Sequence, residues 1–519
     1  MLANDEENDA DSDILSMREM GYKQELYRGV SALMSFSFCF TAVSVLTSIS
    51  ISFNYGLNVG GSAVMIWGWI IGFFFTVLIC LSLAEICSTY PSAGSVYHCR
   101  FDLYLASFMC GWFNFLGNAA GDAAFSSGFA SILNAAVILN GETNSTTDQL
   151  LDKGEHRTGL SINIQVAIGI GMLAIWALQN ALRIDQQGWL NNIAAVLQVS
   201  SVITIIITIL AMAKNHASLH DIFFTTYNST GFSFGYVCCI GILFTLFSFS
   251  GYEASAHLSE ETRGAAKAAP LGIIGTTICA GIIGFIYLFT LLFAITPSVK
   301  YFVEHSYNEN LAVQVYELSV PKLGALALTV LLLINIYFAG ASSITVTSRI
   351  GFAMARDGVF PGSHYLRWIY QRTLTPLANI LFIFIIDSLF ILLQLASPKA
   401  FTAILSITTI GLQVSYLIPI VLRITYGRRT FKLGQFNLGR YGGIVTGTLS
   451  SIWLFVTSIF MFFPTNYPVT VDNMNWAIVV VAGVTLIAAV YWLLSARYWF
   501  IGPKRTVDDP QQELNSLVK

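Results

Sequence analysis

The sequence predicts an all-α polytopic membrane protein with twelve transmembrane helices. Three observations carry that expectation: a scarcity of charge, a series of apolar stretches of spanning length, and a one-sided distribution of basic residues. Of 519 residues, 55% are apolar and only 11% are charged, and the mean hydropathy is +0.67. A soluble domain carries roughly 25% charged residues, so this chain has too few to clothe a globular surface. A helix needs about 20 mainly apolar residues to cross a bilayer. Stretches of that kind lie at 29–53, 63–89, 106–138, 161–182, 189–213, 235–256, 270–295, 322–354, 376–396, 400–423, 440–463 and 476–498. The runs are long and continuous, without period-two alternation, which selects helices over barrel strands.

Orientation follows from counting charges. With both termini cytoplasmic, 20 of the 26 Lys and Arg residues fall in inner segments and the remaining six in outer ones. That bias is the positive-inside pattern. Residues 1–28 lack the basic-then-apolar design of a cleavable signal peptide, so the first span is expected to serve as a signal anchor. Residues 1–28, with Asp5, Glu6, Glu7, Asp9, Asp11 and Asp13, read as a disordered acidic cytoplasmic tail. Residues 499–519 form a second cytoplasmic tail. Sequons at Asn144 and Asn228 both fall outside, as expected of a glycosylated protein in a plasma, vacuolar or lysosomal membrane of a eukaryote. The net charge of −3 offers no basic patch for nucleic acid. All eight cysteines lie in or beside apolar segments, so no disulfide framework is expected. No histidines pair at metal spacing inside a span, so no metal site and no membrane enzyme is expected.

Four acids lie within or at the edge of spans: Glu85, Asp122, Glu253 and Asp387. Charge inside a bilayer is expensive and is found against protein or a wet cavity. Lys and Arg stand only at or near the ends of spans, so none is placed to pair with Asp122 or Glu253, and a buried carboxylate without a counter-charge favours its protonated form. Each is therefore a candidate proton switch or a counter-charge for a cationic amine. Glu253 sits beside Gly251 in Phe249–Thr262, where a glycine permits a helix break and exposes backbone groups to a solute. Asn114 and Asn118 lie near Asp122. Glu85 reads as a cap or orienter of a cytoplasmic loop, and Asp387 as structural. The first span mixes hydroxyl and β-branched residues over Phe40–Ile49, where hydroxyls can satisfy freed backbone groups. The two segments lie five spans apart, as the symmetry mates of a five-plus-five inverted repeat would.

Several blocks together resemble the amino acid–polyamine–organocation superfamily, and within it the amino acid/choline transporter family of GABA permeases and bidirectional amino acid transporters. They are Phe40–Ile49 leading to Gly60 and Gly61, Ala84–Tyr97, Gly111–Asn114, Gly251–Thr262, Ser348–Pro361 and Ile410–Pro419. The resemblance implies a LeuT-like fold: spans 1–5 (29–213) and 6–10 (235–423) as inverted halves, two further helices over 440–498, and breaks in spans one and six. It implies a substrate site between those breaks, with Ser44, Thr47 and Ser48 on one side and Phe247, Ser248, Ser250, Gly251 and Glu253 on the other. Asn118 and Asp122 of the third span join that set. Ser48 stands where relatives usually have Gly, and Glu253 where they commonly have Asp.

The same resemblance frames coupling. Some members carry a Lys in the fifth span where others hold sodium; here that span offers only Asn191, Asn192 and Gln198. Ser342 and Ser343 of the eighth span are candidate ligands of a sodium-like site, while Glu253 and Asp122 are candidates for proton coupling, the reading preferred over sodium. Glu260, Glu85, Arg349 and Arg356 resemble inner-gate residues, with Arg349 or Arg356 expected to pair with Glu260 or Glu85. No other cofactor is expected. The predicted function is a secondary transporter moving amino acids or related amines by alternating access, embedded in lipid. A choline or polyamine carrier of the same fold and a transporter-like nutrient sensor are the alternatives. The segment between the third and fourth spans lacks the Cys by which some relatives join a heavy chain, so none is expected.

Overall fold

The computed structural model describes residues 26–92, 94, 104–141, 159–397, 399–428, 431, 433–470 and 473–500. The acidic tail through residue 25, the sequon at Asn144, the loop cysteine question over 142–158 and the tail from 501 lie outside these. The described chain is helical, with only two isolated β-bridges. Its helices are α1 Ala32–Val43, α2 Val45–Thr89, α3 Tyr104–Asn140, α4 Ile162–Gln179, α5 Ile184–Met212, α6 Leu219–Phe224, α7 Phe234–Gly241, α8 Leu243–Ser248 and α9 Ala254–His257. They continue with α10 Ala265–Phe293, α11 Val299–Glu304, α12 Leu311–Ser319, α13 Lys322–Arg356, α14 Ser363–Leu366, α15 Leu377–Leu392, α16 Ala400–Ile424, α17 Gly439–Phe460 and α18 Ala477–Leu494.

Among the described residues, ten helical runs are long and apolar enough to cross a membrane. Large apolar side chains such as Leu178, Leu323 and Leu494 stand exposed along them, the outward face a lipid-embedded bundle requires. The chain is an integral, multi-pass membrane protein. The first run, Ala32–Thr89, spans 58 residues and holds the first two expected spans. They are separated at Gly61, whose φ of 68° and ψ of −166° break the helical path inside α2. A Cβ there would stand 2.6 Å from the Tyr227 backbone nitrogen, so only glycine lets the outer loop close onto the kink.

The expected sixth span is shorter than the rest because it is broken into α7, α8 and α9. α3 forms the central post, packing on both α13 and α16. Its contact with α16 is a small-residue crossing: a Cβ on Gly117 would lie 2.7 Å from the Leu412 nitrogen, and one on Gly411 2.6 Å from the Gly117 Cα. In lipid, such close approach supplies the dispersion contacts that hold helices together.

Candidate functional site

The chain is interrupted twice near the bundle centre. At the first break Ser44 takes a left-handed conformation, φ 37°, between α1 and α2. Freed carbonyls there are taken up locally: the Thr47 hydroxyl donates to the Ser44 carbonyl at 2.8 Å and the Ser48 hydroxyl to the Val43 carbonyl at 2.9 Å. The hydroxyl-rich sequence thus lets a helix stop inside an apolar bundle without stranding its backbone. At the second break Phe249 leaves the helix and Gly251 adopts φ 92° before α9 begins. Ser248 and Ser250 donate to the carbonyls of Phe244 and Leu246. The breaks pack against each other, α8 on α2 and α9 on α1. Cys39 donates to the Tyr252 carbonyl at 2.9 Å, and the Ser35 and Ser255 hydroxyls meet at 2.5 Å.

Between them lies a narrow cavity of about 30 Å³. Of the sequence-predicted binding residues, Ser48, Asn118, Phe247, Ser250 and Gly251 line it, and so does Ser343. Ser44, Thr47, Asp122, Ser248 and Glu253 do not line it; their side chains serve the helix breaks or lie behind the wall. The remainder of the wall comes from α1, α3, α9, α13 and α16, including Gly121, Phe125, Val346 and Thr408. These are small or apolar residues on unbroken helices, which carry no mark of a site in the sequence. Gly121 and Gly117 share the signal of glycine within an apolar helix, a sign of close approach.

Glu253 caps α9 and is fully buried. It accepts hydrogen bonds from the Tyr416 hydroxyl on α16 and from the Asn118 amide at 3.5 Å. Among the described residues it has no basic partner. Its neighbour Asn118 lines the cavity, so a change at the carboxylate reaches the solute space through one side chain. Asp122 lies one turn further along α3, also fully buried, with neither carboxylate oxygen hydrogen-bonded. It faces Ser343 and Thr347 of α13 and lies within electrostatic reach of Asp387 on α15. Asp387 is equally buried, with neither oxygen hydrogen-bonded. The two acids from different spans therefore form one environment, which single-span reading of Asp387 missed.

Ser342 is not turned toward the cavity: its hydroxyl donates to the Asn191 side chain of α5. Next to it, Thr345 donates to Asn180 at 2.6 Å and to Gln187 at 3.0 Å. The polar residues of α5 thus bind α13 directly.

Beyond the second break lie two buried ion pairs. Arg356 holds Glu260 with two bonds, 2.8 and 2.9 Å. Arg349, fully buried, holds Glu261 at 2.9 and 3.2 Å and the Ser348 hydroxyl at 2.8 Å. Arg349 therefore pairs with Glu261, not with Glu260 or Glu85. Glu85 pairs instead with Arg423 at 3.3 Å and accepts from the Leu438 amide at 3.3 Å, capping the start of α17. The Glu261 carbonyl also takes the Val30 amide at 2.9 Å, and Arg263 returns a bond to the Val30 carbonyl at 3.0 Å. The segment before α1 is thereby tied to the segment after the second break. A separate, wider vestibule of about 380 Å³ lies against α2, α3 and α16.

Residues 33–484 match the family model described as amino acid permease. The chain belongs to the amino acid permease family. The permease is 34% identical over 510 residues to the amino-acid permease BAT1 of Arabidopsis thaliana, covering 95% of this chain and 96% of that protein. It is 29% identical over 504 residues to amino-acid permease 2 of Neurospora crassa, covering 94% and 88%. It is 27% identical over 509 residues to the GABA-specific permease of Saccharomyces cerevisiae, covering 95% and 86%. Residues 33–484 include both helix breaks and the residues that line the central cavity. The permease is an amino acid transporter of the membrane.

Asn228, the second sequon, is exposed in the loop before α7. Its side-chain oxygen accepts from the Thr230 amide at 2.9 Å and hydroxyl at 2.7 Å.

Proposed function

We propose that the permease carries small amino acids or related ω-amino acids by alternating access, through the cavity between the two helix breaks. The observation that carries this reading is the cavity itself, walled by two interrupted helices whose ends offer backbone dipoles to both poles of a zwitterion. A carboxylate would meet the N–H groups at the start of α2 or α9, and an amine the carbonyls that end α1 or α8. In this reading the permease has the twelve-span, five-plus-five LeuT-like arrangement, with the second span entered at the Gly61 kink. Both termini face the cytoplasm, and Asn228 carries glycan outside.

The ion-paired end is then the cytoplasmic gate, closed by Arg356–Glu260 and Arg349–Glu261, with the vestibule on the outside. Buried pairs of this kind suit a gate because their net stability is small while the cost of leaving one partner unpaired is large. Each inward opening must break them together and hydrate both sides. Transport is coupled to a proton or to exchange rather than to sodium. Ser342, one of two hydroxyls expected for a sodium-like site, is committed to Asn191, whereas Glu253 and Asp122 sit without counter-charge beside the cavity.

Uptake of a panel of radiolabelled solutes into proteoliposomes, with and without a pH gradient and with sodium replaced, tests the proposal. Saturable uptake of amino acids driven by an inward proton gradient, or by preloaded amino acid, is the expected result. Transport confined to choline or polyamines, or strictly requiring sodium, would overturn it.

A further inference from the structure

We propose that the outer vestibule is a second solute site, which takes the carboxylate of an incoming zwitterion and turns away amines that have none. The inference rests on the amino acid reading above and adds where selection begins.

The vestibule is walled by α2, α3, α16 and the loops between spans, and its lining contains a single charged side chain, Lys399, with no Asp or Glu. Most polar groups of the wall are already used. Asn54 accepts the Leu311 amide at 2.9 Å and donates to the Glu309 carbonyl at 2.5 Å. Asn310 accepts the amides of Ala312 and Val313 and donates to the Ser50 carbonyl. These amides hold the outer loop on α2 and keep at most one side-chain N–H each for a solute. Three side chains of the lining are different: among the described residues, the Lys399 ammonium and the hydroxyls of Ser131 and Thr402 have no hydrogen-bond or ion-pair partner. All three can donate, and they come from α3 and the first turn of α16.

A cation that shares its cavity with two free hydroxyl donors suits a carboxylate, and the positive end of the α16 dipole adds the same sign. The walls have low dielectric and the space is confined, so the Lys399 charge is felt across the mouth. A zwitterion enters carboxylate first and gains a partner; a choline or diamine meets only repulsion. The central cavity has no basic lining residue, so there a carboxylate would meet backbone N–H groups rather than a cation.

The test uses the purified permease in proteoliposomes at low and high ionic strength. Initial rates are measured for one zwitterion, alanine or 4-aminobutyrate, with putrescine and choline as competitors. For Lys399→Gln, the expected result is a rise in KM of about fivefold at low salt with kcat unchanged. Lys399→Glu raises it further and admits putrescine as a competitor, Lys399→Arg restores the wild-type value, and added salt narrows every difference. Ser131→Ala combined with Thr402→Val, which keeps the charge, raises KM without altering salt dependence. Equal KM values for wild type, Lys399→Gln and Lys399→Glu at low salt would overturn the inference while leaving amino acid transport standing. A lowered kcat with unchanged KM would equally reject it, since that marks a conformational role. Failure of the wild-type protein to move any zwitterion would instead reject the function on which the inference rests.

Discussion

Tyr416 donates its hydroxyl to the Glu253 carboxylate, joining α16 to the second helix break. The same carboxylate receives the Asn118 amide from α3, so one buried acid ties together three walls of the cavity. Any change in its proton content alters what both donors can do, and Asn118 faces the solute.

Glu253→Gln keeps the shape and removes the titration. We expect the pH dependence of proteoliposome uptake to flatten in this variant, and its midpoint to move in Tyr416→Phe, which leaves the acid but removes its donor. A profile superimposable on wild type in Glu253→Gln would remove this residue from coupling.

Arg356 and Glu260 are almost wholly buried, so their removal is strongly non-additive. Arg356→Met alone should cost about 3–5 kcal/mol by removing the bidentate partner of the buried Glu260 charge, and Arg356→Met/Glu260→Met should recover most of that. Thermal unfolding in detergent reads both. The double variant should also expose Ser348→Cys to a membrane-impermeant thiol reagent from the cytoplasmic side. Additive destabilisation would argue against a coupled gate.

Gly251→Ala isolates backbone strain, because a Cβ at this position would touch nothing within 4 Å. The left-handed φ of 92° should cost roughly 1–2 kcal/mol, appearing as lost transport with a modest fall in melting temperature. Gly61→Ala adds a clash with the Tyr227 backbone and should be the more damaging of the two. Equal effects would mean that the kink yields easily.

Ser48→Gly tests the Ser48 side chain at the cavity wall. Its bond to the Val43 carbonyl would be lost, destabilising by about 1–3 kcal/mol unless water replaces it. The cavity gains room at the same point, so larger amino acids should compete better. Unchanged competition across side-chain sizes would show that Ser48 does not set size.

Asp122→Asn and Asp387→Asn should each change the pH dependence of uptake without abolishing it, and the two effects should not add, because the acids share one environment. Independent, additive shifts measured in the double variant would separate them.

Much of this was legible in the chain before folding. Spans, kinks and one-sided charge follow from local composition: lipid demands apolar length, a missing Cβ permits Gly61 and Gly251 to bend, and clustered hydroxyls near Ser44 supply spare donors to an interrupted helix. The break at Gly251, the burial of Glu253 and the pairing of Arg356 with Glu260 all rested on such signals, the last two with the help of a family resemblance. What the tertiary structure decided is which groups meet. Tyr416 lies 163 positions from Glu253, Arg349 could have reached either of two adjacent acids and takes Glu261, and Glu85 caps α17 with Arg423. Asp122 lies behind the cavity wall on α3, which packs on α16 through Gly117 and Gly411, and Thr47 is turned to the Ser44 carbonyl of the break. Rotation and partner choice depend on contacts between distant segments, and no local pattern encodes them.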